Sequence, residues 1–196
     1  MTKFLKQKNN KNRGFTLVET LVAISIFTMS VLSLMVVLSN GIANTTYAKK
    51  KITAEYLAQE GIEEIRNMRD TYMLYSGTAQ DGWDAFKGPL NNNCASPNAP
   101  GGCYFNNADL VFNNFSMPMA DVQLVPCKIL SCPPLKYDDT NGKYEYDSGI
   151  NSGFIRQITA TQISIDEIKI TSTIFWTQGS GKYNVSFSED LFNWIE

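Results

Sequence analysis

Gly14-Phe15-Thr16-Leu17-Val18-Glu19-Thr20-Leu21-Val22-Ala23-Ile24 opens an apolar run that continues to Leu38 and contains one charge, Glu19. As a helix rising about 1.5 Å per residue, this run reaches roughly 36 Å, enough to cross a bilayer hydrocarbon core of about 30 Å. A lone carboxylate near the start of such a helix costs about 3 kcal/mol on insertion scales, so Glu19 calls for a partner. The segment before the run is short and basic. It holds Lys3, Lys6, Lys8, Lys11 and Arg13 and no acid. Positive charge in front of a span predicts a cytoplasmic N-terminus and an exported C-terminal part.

The whole chain has 196 residues and a net charge of −2. That length suits one domain with a real core behind one spanning helix. A basic head can touch nucleic acid, but with a span directly behind it the charges are better read as topology, and no nucleic-acid partner is expected. There is no histidine, which removes the commonest general base and the commonest metal ligand. Asp138, Asp139 and Asp166 are the carboxylates open to nomination for an anchored hydrolase, and no spacing makes them a catalytic pair. The expectation is a protein with no catalytic residues, no cofactor and no enzymatic activity of its own.

A secretory signal has a shorter apolar core closed by a small-residue cleavage site. Here the run is too long, and Ser39-Asn40-Gly41-Ile42-Ala43 is a poor substitute. Residues 1 to 38 therefore read as an uncleaved anchor or as a leader cut ahead of the run. The junction Arg13-Gly14-Phe15-Thr16-Leu17-Val18-Glu19 resembles the recognition motif of type IV prepilins and type II secretion pseudopilins. The resemblance implies a class III signal peptide, 1–14. Prepilin peptidase would cut it between Gly14 and Phe15, and Phe15 would then be N-methylated. It implies a 15–38 segment that serves first as a transmembrane helix and then as a polymerisation element. Glu19, about one turn into the mature helix, would pair with a neighbouring subunit's N-terminal amine and set the axial register. The physical reading agrees: glycine lets the backbone lie extended in a protease cleft. Many major pilins carry a proline in the apolar half, and this chain has none between Phe15 and Glu60.

Residues 39–75 read as a polar continuation that becomes amphipathic, with apolar residues at Ile52, Tyr56, Leu57, Ile62, Ile65, Met68 and Tyr72 near a helical period. Glu63 and Arg66 are helix-face neighbours. Gly41 and Gly61 each cost about 1 kcal/mol in a helix relative to alanine. Residues 76–134 are rich in turn chemistry, such as Gly88-Pro89-Leu90-Asn91-Asn92-Asn93, Pro97-Asn98-Ala99-Pro100-Gly101-Gly102 and Cys132-Pro133-Pro134. Trp83, Phe86, Tyr104, Phe105, Phe112 and Phe115 mark the region as ordered, with short irregular elements. All four cysteines, Cys94, Cys103, Cys127 and Cys132, lie in the exported part and suggest disulfides. Three pairings are open; Cys94 with Cys103 and Cys127 with Cys132 closes the smallest loops and is preferred. Neither spacing is a zinc-type ligand pair.

Residues 135–196 read as antiparallel sheet. Tyr137 to Tyr146 places short aromatic strands around Asn141-Gly142, a two-residue hairpin signal. Asp138, Asp139 and Asn141 are weak calcium candidates, as in loops of some pseudopilins, but they lack the twelve-residue loop pattern, and a plain hairpin is the expected reading. In Glu167–Thr177 the residues Ile168, Ile170, Ser172, Ile174 and Trp176 share one face. Tyr183, Val185 and Phe187 follow a Gly-rich turn, and Leu191-Phe192-Asn193-Trp194-Ile195 ends the chain. An apolar sheet face needs cover, and the amphipathic half of the N-terminal helix is expected to supply it.

This α+β order also resembles the pilin fold, a long helix lying across an antiparallel sheet. The tail, Ile174-Phe175-Trp176-Thr177 through Trp194, looks most like minor pilin V or pseudopilin I. The resemblance implies a structural, minor filament subunit whose partners are other pilin subunits in a homo- or heteropolymer. Its further partners would be the peptidase and N-methyltransferase, an inner-membrane assembly platform, and membrane lipid before assembly. It implies a single-pass inner-membrane protein that ends in an extracellular or periplasmic filament. The alternatives are a type II secretion pseudopilin and a membrane-tethered adhesion or binding module that does not polymerise; a role in DNA uptake stays open.

Overall fold

The computed structural model describes residues 14–95, 97–105, 124–128 and 132–193. The basic leader at 1–13, the aromatics Phe112 and Phe115, and terminal Trp194 and Ile195 lie outside the described residues. The fold is α+β and pilin-like: a long N-terminal helix, a second helix and an antiparallel sheet. The chain divides into two compact units, residues 1–46 and 47–196.

In the first unit, helix α1 (Leu17–Tyr75) begins. Its apolar start is exposed on every side, and the stretch is long and apolar enough to cross a membrane by length and composition. The run also contains serines and threonines, which are costly in hydrocarbon unless they find partners. Here they bond back to the helix itself. Ser25 Oγ donates to the Leu21 carbonyl at 2.8 Å, and Ser30 and Ser33 repeat the pattern on Ile26 and Met29.

In the second unit α1 buries Ala54, Leu57, Ala58, Gly61, Ile62, Ile65 and Met68. This differs from the expected stripe at two positions: Ile52 and Tyr56 are 53% and 69% exposed. The buried line runs 54, 58, 61, 65, 68, a three-four alternation that Ile52 and Tyr56 miss. Small residues carry its upper part because the helix rides low on the sheet. A Cβ at Gly61 would stand 2.5 Å from Ser172 Oγ and 3.0 Å from Ile158 Cδ1. The glycine that looks like a helix-propensity cost is a packing requirement.

Among the described residues the sheet has seven strands: β1 (Cys103–Tyr104), β2 (Val125–Pro126), β3 (Pro134–Asp138), β4 (Lys143–Glu145), β5 (Ile150–Ser164), β6 (Glu167–Gln178) and β7 (Gly181–Phe192). Strand β5 is the hub. It pairs with β6 along its length on one edge, and with β3 and β1 in succession on the other. β6 then pairs β7 in unbroken register from Glu167↔Phe192 to Gln178↔Gly181. The alternation reads out as expected: Ile168, Ile170, Ser172, Ile174 and Trp176 are all buried on the helix side. Phe154, Arg156, Ile158 and Ala160 continue that face on β5.

The cover over this face is shared. Helix α2 (Ala79–Asn93) lies where turn and loop chemistry is expected, and it buries Trp83, Phe86 and Leu90 in the same core cluster as Ile62, Ile65, Ile168 and Leu191. Its start carries a capping signal, since Thr78 Oγ1 accepts from the Asp81 N–H at 3.1 Å. Gly82 lets it approach α1, where a Cβ would stand 2.8 Å from the Tyr72 carbonyl. Pro89 sits inside α2 and lacks an N–H, yet the helix continues to Asn93. Packing of Phe86 and Leu90 on either side of it outweighs the local penalty.

Both disulfides lie at the same sheet edge. Cys94 bonds Cys103, joining the end of α2 to β1, and Cys127 bonds Cys132 between β2 and β3. The Cys94 carbonyl also accepts from Ala160 N–H at 3.1 Å, and the Gly102 carbonyl from Cys127 N–H at 2.8 Å. The Cys94–Cys103 bridge together with the Ala160–Cys94 hydrogen bond therefore holds β1 beside the hub strand, and the Cys127–Gly102 hydrogen bond holds the end of β2 to β1.

The β3–β4 connection is a hairpin with a four-residue loop, Asp139 to Gly142, not the two-residue Asn-Gly turn. Gly142 takes φ of 72° and its N–H donates to the Asp138 carbonyl at 2.8 Å, closing an i→i+4 turn. The register Tyr137↔Tyr144 and Asp138↔Lys143 puts Asn141-Gly142 at the end of the loop rather than at its centre. The aromatic pair Tyr137–Tyr144, with centroids 5.0 Å apart, selects that register.

Candidate functional site

The N-terminal junction is built on the helix start. Gly14, Phe15 and Thr16 precede the first helical turn, and Phe15 is 80% exposed. Thr16 acts as the cap: its Oγ1 accepts from the Glu19 N–H at 3.3 Å. Thr16-Leu17-Val18-Glu19 has the spacing of a capping box, a signal in the sequence that the reading above passes over. The carboxylate of Glu19 lies in the first turn, where the helix dipole favours negative charge. The junction thus presents an exposed aromatic, a small flexible residue before it and a carboxylate one turn in.

The weak calcium candidates form a self-satisfied turn. The Asp138 carboxylate accepts from Thr140 Oγ1 at 2.6 Å and Thr140 N–H at 2.8 Å, from Asn141 Nδ2 at 2.9 Å and from Ser148 Oγ at 3.2 Å. The Thr140 hydroxyl is the main cause that holds Asp138 below the usual carboxylate range. Asn141 Oδ1 is in turn taken by the Lys143 N–H. Asp139 lies apart, on the wall of a neighbouring groove. Among the described residues no group of three or more His, Cys, Asp or Glu is placed to hold a metal ion.

Charged ties fasten α1 to the sheet. Arg156, wholly buried on the inner face of β5, donates from Nη1 to Glu60 Oε2 at 3.0 Å and stacks its guanidinium 4.7 Å from the Phe105 ring. Glu64, one turn on, has its carboxyl pushed up by burial and by the charge of Glu60, with Arg156 opposing. Further along, Arg66 bridges Glu63 on α1 and Glu189 on β7, at 2.6 and 2.5 Å. The expected Glu63–Arg66 neighbour pair is thus half of a link to β7. Arg156 and Glu60 are absent from the candidate residues read in the sequence. The available signal was an arginine at an inward position of the alternation Phe154, Arg156, Ile158.

Residues 9–35 match the prokaryotic N-terminal methylation motif. The N-terminal segment is therefore a type IV prepilin-like class III signal. No curated protein and no solved structure matches the chain.

Proposed function

We propose that this chain, with its prepilin-like signal at residues 9–35, is a structural subunit of a type IV pilus or related filament. Prepilin peptidase cuts between Gly14 and Phe15, and Phe15 is N-methylated. The basic leader holds the N-terminus in the cytoplasm, and the disulfide-bearing unit is exported. Residues 15–38 then leave the lipid for a bundle of like helices. The observation that carries this reading is an apolar helix start exposed on all sides with one carboxylate in its first turn. Such a surface is stable in lipid or against other helices and nowhere else. In lipid Glu19 has a cost that a neighbour's N-terminal amine offsets.

The finer assignment, a minor subunit, rests on the likeness of the Ile174–Trp194 tail to minor pilin V and pseudopilin I. The proposed division is a leader at 1–14, the polymerisation helix at 15–38, its amphipathic half at 39–75, a disulfide-bearing region at 76–134 and the sheet at 135–196. Partners are other pilin subunits, the processing enzyme and an inner-membrane assembly platform; the subunit itself catalyses nothing. Mass spectrometry of filament-associated protein should find N-methyl-Phe15 as the first residue. Recovery of filaments whose subunits retain residues 1–14 would overturn the reading.

A further inference from the structure

One cavity is not explained by filament assembly. A groove of about 840 Å³ runs between α1 at Lys49–Glu60 and the β3–β4 hairpin with the start of β5. Its walls are aromatic. Tyr56 stands out from α1, outside the buried stripe, and Tyr137 and Tyr144 face it from the hairpin. Ile150, at the start of β5, is 71% exposed beside them. Large apolar groups left out of a core mark a binding surface when they converge on a cleft lined with polar groups.

The groove is preorganised. Tyr144 packs edge-on against buried Phe154 at 6.1 Å and holds Tyr137 at 5.0 Å. The Asp138 turn locks the hairpin beside them. Ser152 Oγ, donating to the Leu135 carbonyl at 2.6 Å, fixes the floor. Glu60 reaches the groove with its carboxylate held from behind by wholly buried Arg156. Lys49 and Asp139 line it with opposite charges, so with Arg156 behind Glu60 the groove carries no net charge. The side-chain amide NH₂ of Asn151, the Tyr56 and Tyr137 hydroxyls and the Asp139 carboxylate have no hydrogen-bond partner among the described residues.

We propose that this groove binds a neutral oligosaccharide. Sugar rings present flat C–H faces to aromatic rings and hydroxyls to amides, carboxylates and phenols, and the groove offers both sets on rigid supports. Nucleic acid, an anionic polymer or an acidic peptide finds no surplus of positive charge here, since Lys49 faces Asp139 and Arg156 is already taken by Glu60. The site is independent of the filament reading, since it lies wholly in the 47–196 unit.

The test is calorimetric titration of the full-length protein, kept in a detergent without a sugar headgroup, with chitohexaose, cellohexaose and maltohexaose. At least one should bind saturably. Tyr56→Ala and Tyr137→Ala should each weaken it about tenfold, the loss of one good contact. Tyr75→Ala, an exposed tyrosine at the far end of α1, should leave it unchanged. The melting temperature of each variant separates lost contact from lost fold, and Tyr137→Phe keeps the ring should Tyr137→Ala unfold. The proposal is overturned if none of the three sugars binds, or if binding is indifferent to Tyr56 and Tyr137. It is equally overturned if a charged peptide or a second copy of the chain occupies the groove instead.

Discussion

The beginning and the later half of α1 are continuous in backbone and opposite in surroundings. From Leu17 the helix is apolar on all sides and exposed on all sides. From Ala54 it is amphipathic, and one narrow line of small and aliphatic residues is buried. A helix that is apolar all round specifies an environment, lipid or other helices, without specifying a mate within its own chain. A helix with a narrow small-residue line specifies one sheet at one distance. Substitutions in the first segment should therefore change assembly and leave folding alone, and substitutions in the second should do the reverse.

Glu19→Ala gives the largest expected effect in assembly. The variant should be processed and N-methylated normally, keep the melting temperature of the parent, and fail to enter filaments; undiminished filament incorporation removes the register mechanism. The largest effect on folding should come from Trp83→Ala on α2. This ring is fully buried, and its Nε1 donates to the Ile165 carbonyl at 2.9 Å. Loss of about 3–5 kcal/mol is expected in denaturant unfolding. Because α2 shares the cover of the sheet, a loss below about 1 kcal/mol would show that α1 covers the core alone.

Replacing Cys94 and Cys103 together by serine should cost about 2–4 kcal/mol under oxidising conditions. Reduction of the parent, which also opens Cys127–Cys132, should cost at least as much, and no sensitivity to reductant would mean that β1 stays docked without the bridge. Gly61→Ala should cost about 1–3 kcal/mol through overpacking against Ser172 and Ile158. Gly41→Ala, with open space around it, should be neutral or slightly stabilising. Equal effects of the two substitutions would contradict the low ride of the helix at Gly61.

The smallest effect concerns Glu64. Its carboxyl titrates above the unfolded value, mainly through burial and then through Glu60. The folded chain therefore holds its proton more tightly, and this contribution to stability is full at pH below the unfolded value and is lost as pH rises through the folded one. Glu64→Gln should stabilise at neutral pH by less than about 1 kcal/mol, the scale of a partly exposed charge. The gain should vanish near pH 3, below the carboxylate range. A gain that persists in acid would mean that the amide makes a new contact rather than removing a charge.

Much of the molecule was legible because local chemistry decides it. The long apolar helix start, the prepilin-like motif at residues 9–35, the period-two strands and their turn at Gly179 each depend on neighbours in sequence. What stayed hidden depends on partners distant in sequence. Helix α2 reads as loop because Gly82, Gly88, Pro89 and three asparagines are poor helix residues, while Trp83, Phe86 and Leu90 already recur at helical spacing. The hairpin loop at 139–142 is set by the cross-strand tyrosines, not by the Asn-Gly pair it contains.

By itself, then, the sequence determined an apolar N-terminal helix carrying a prepilin-like motif and an α+β unit behind it, since hydropathy and alternation act residue by residue. Tertiary structure decided which line of α1 is buried, that α2 exists, and that Arg156 lies beneath Glu60. The reason is physical: periodicity says that a helix has an inner face, but only close packing chooses between a stripe of large residues and a seam of small ones. A buried cation is tolerable only where a carboxylate from another element meets it.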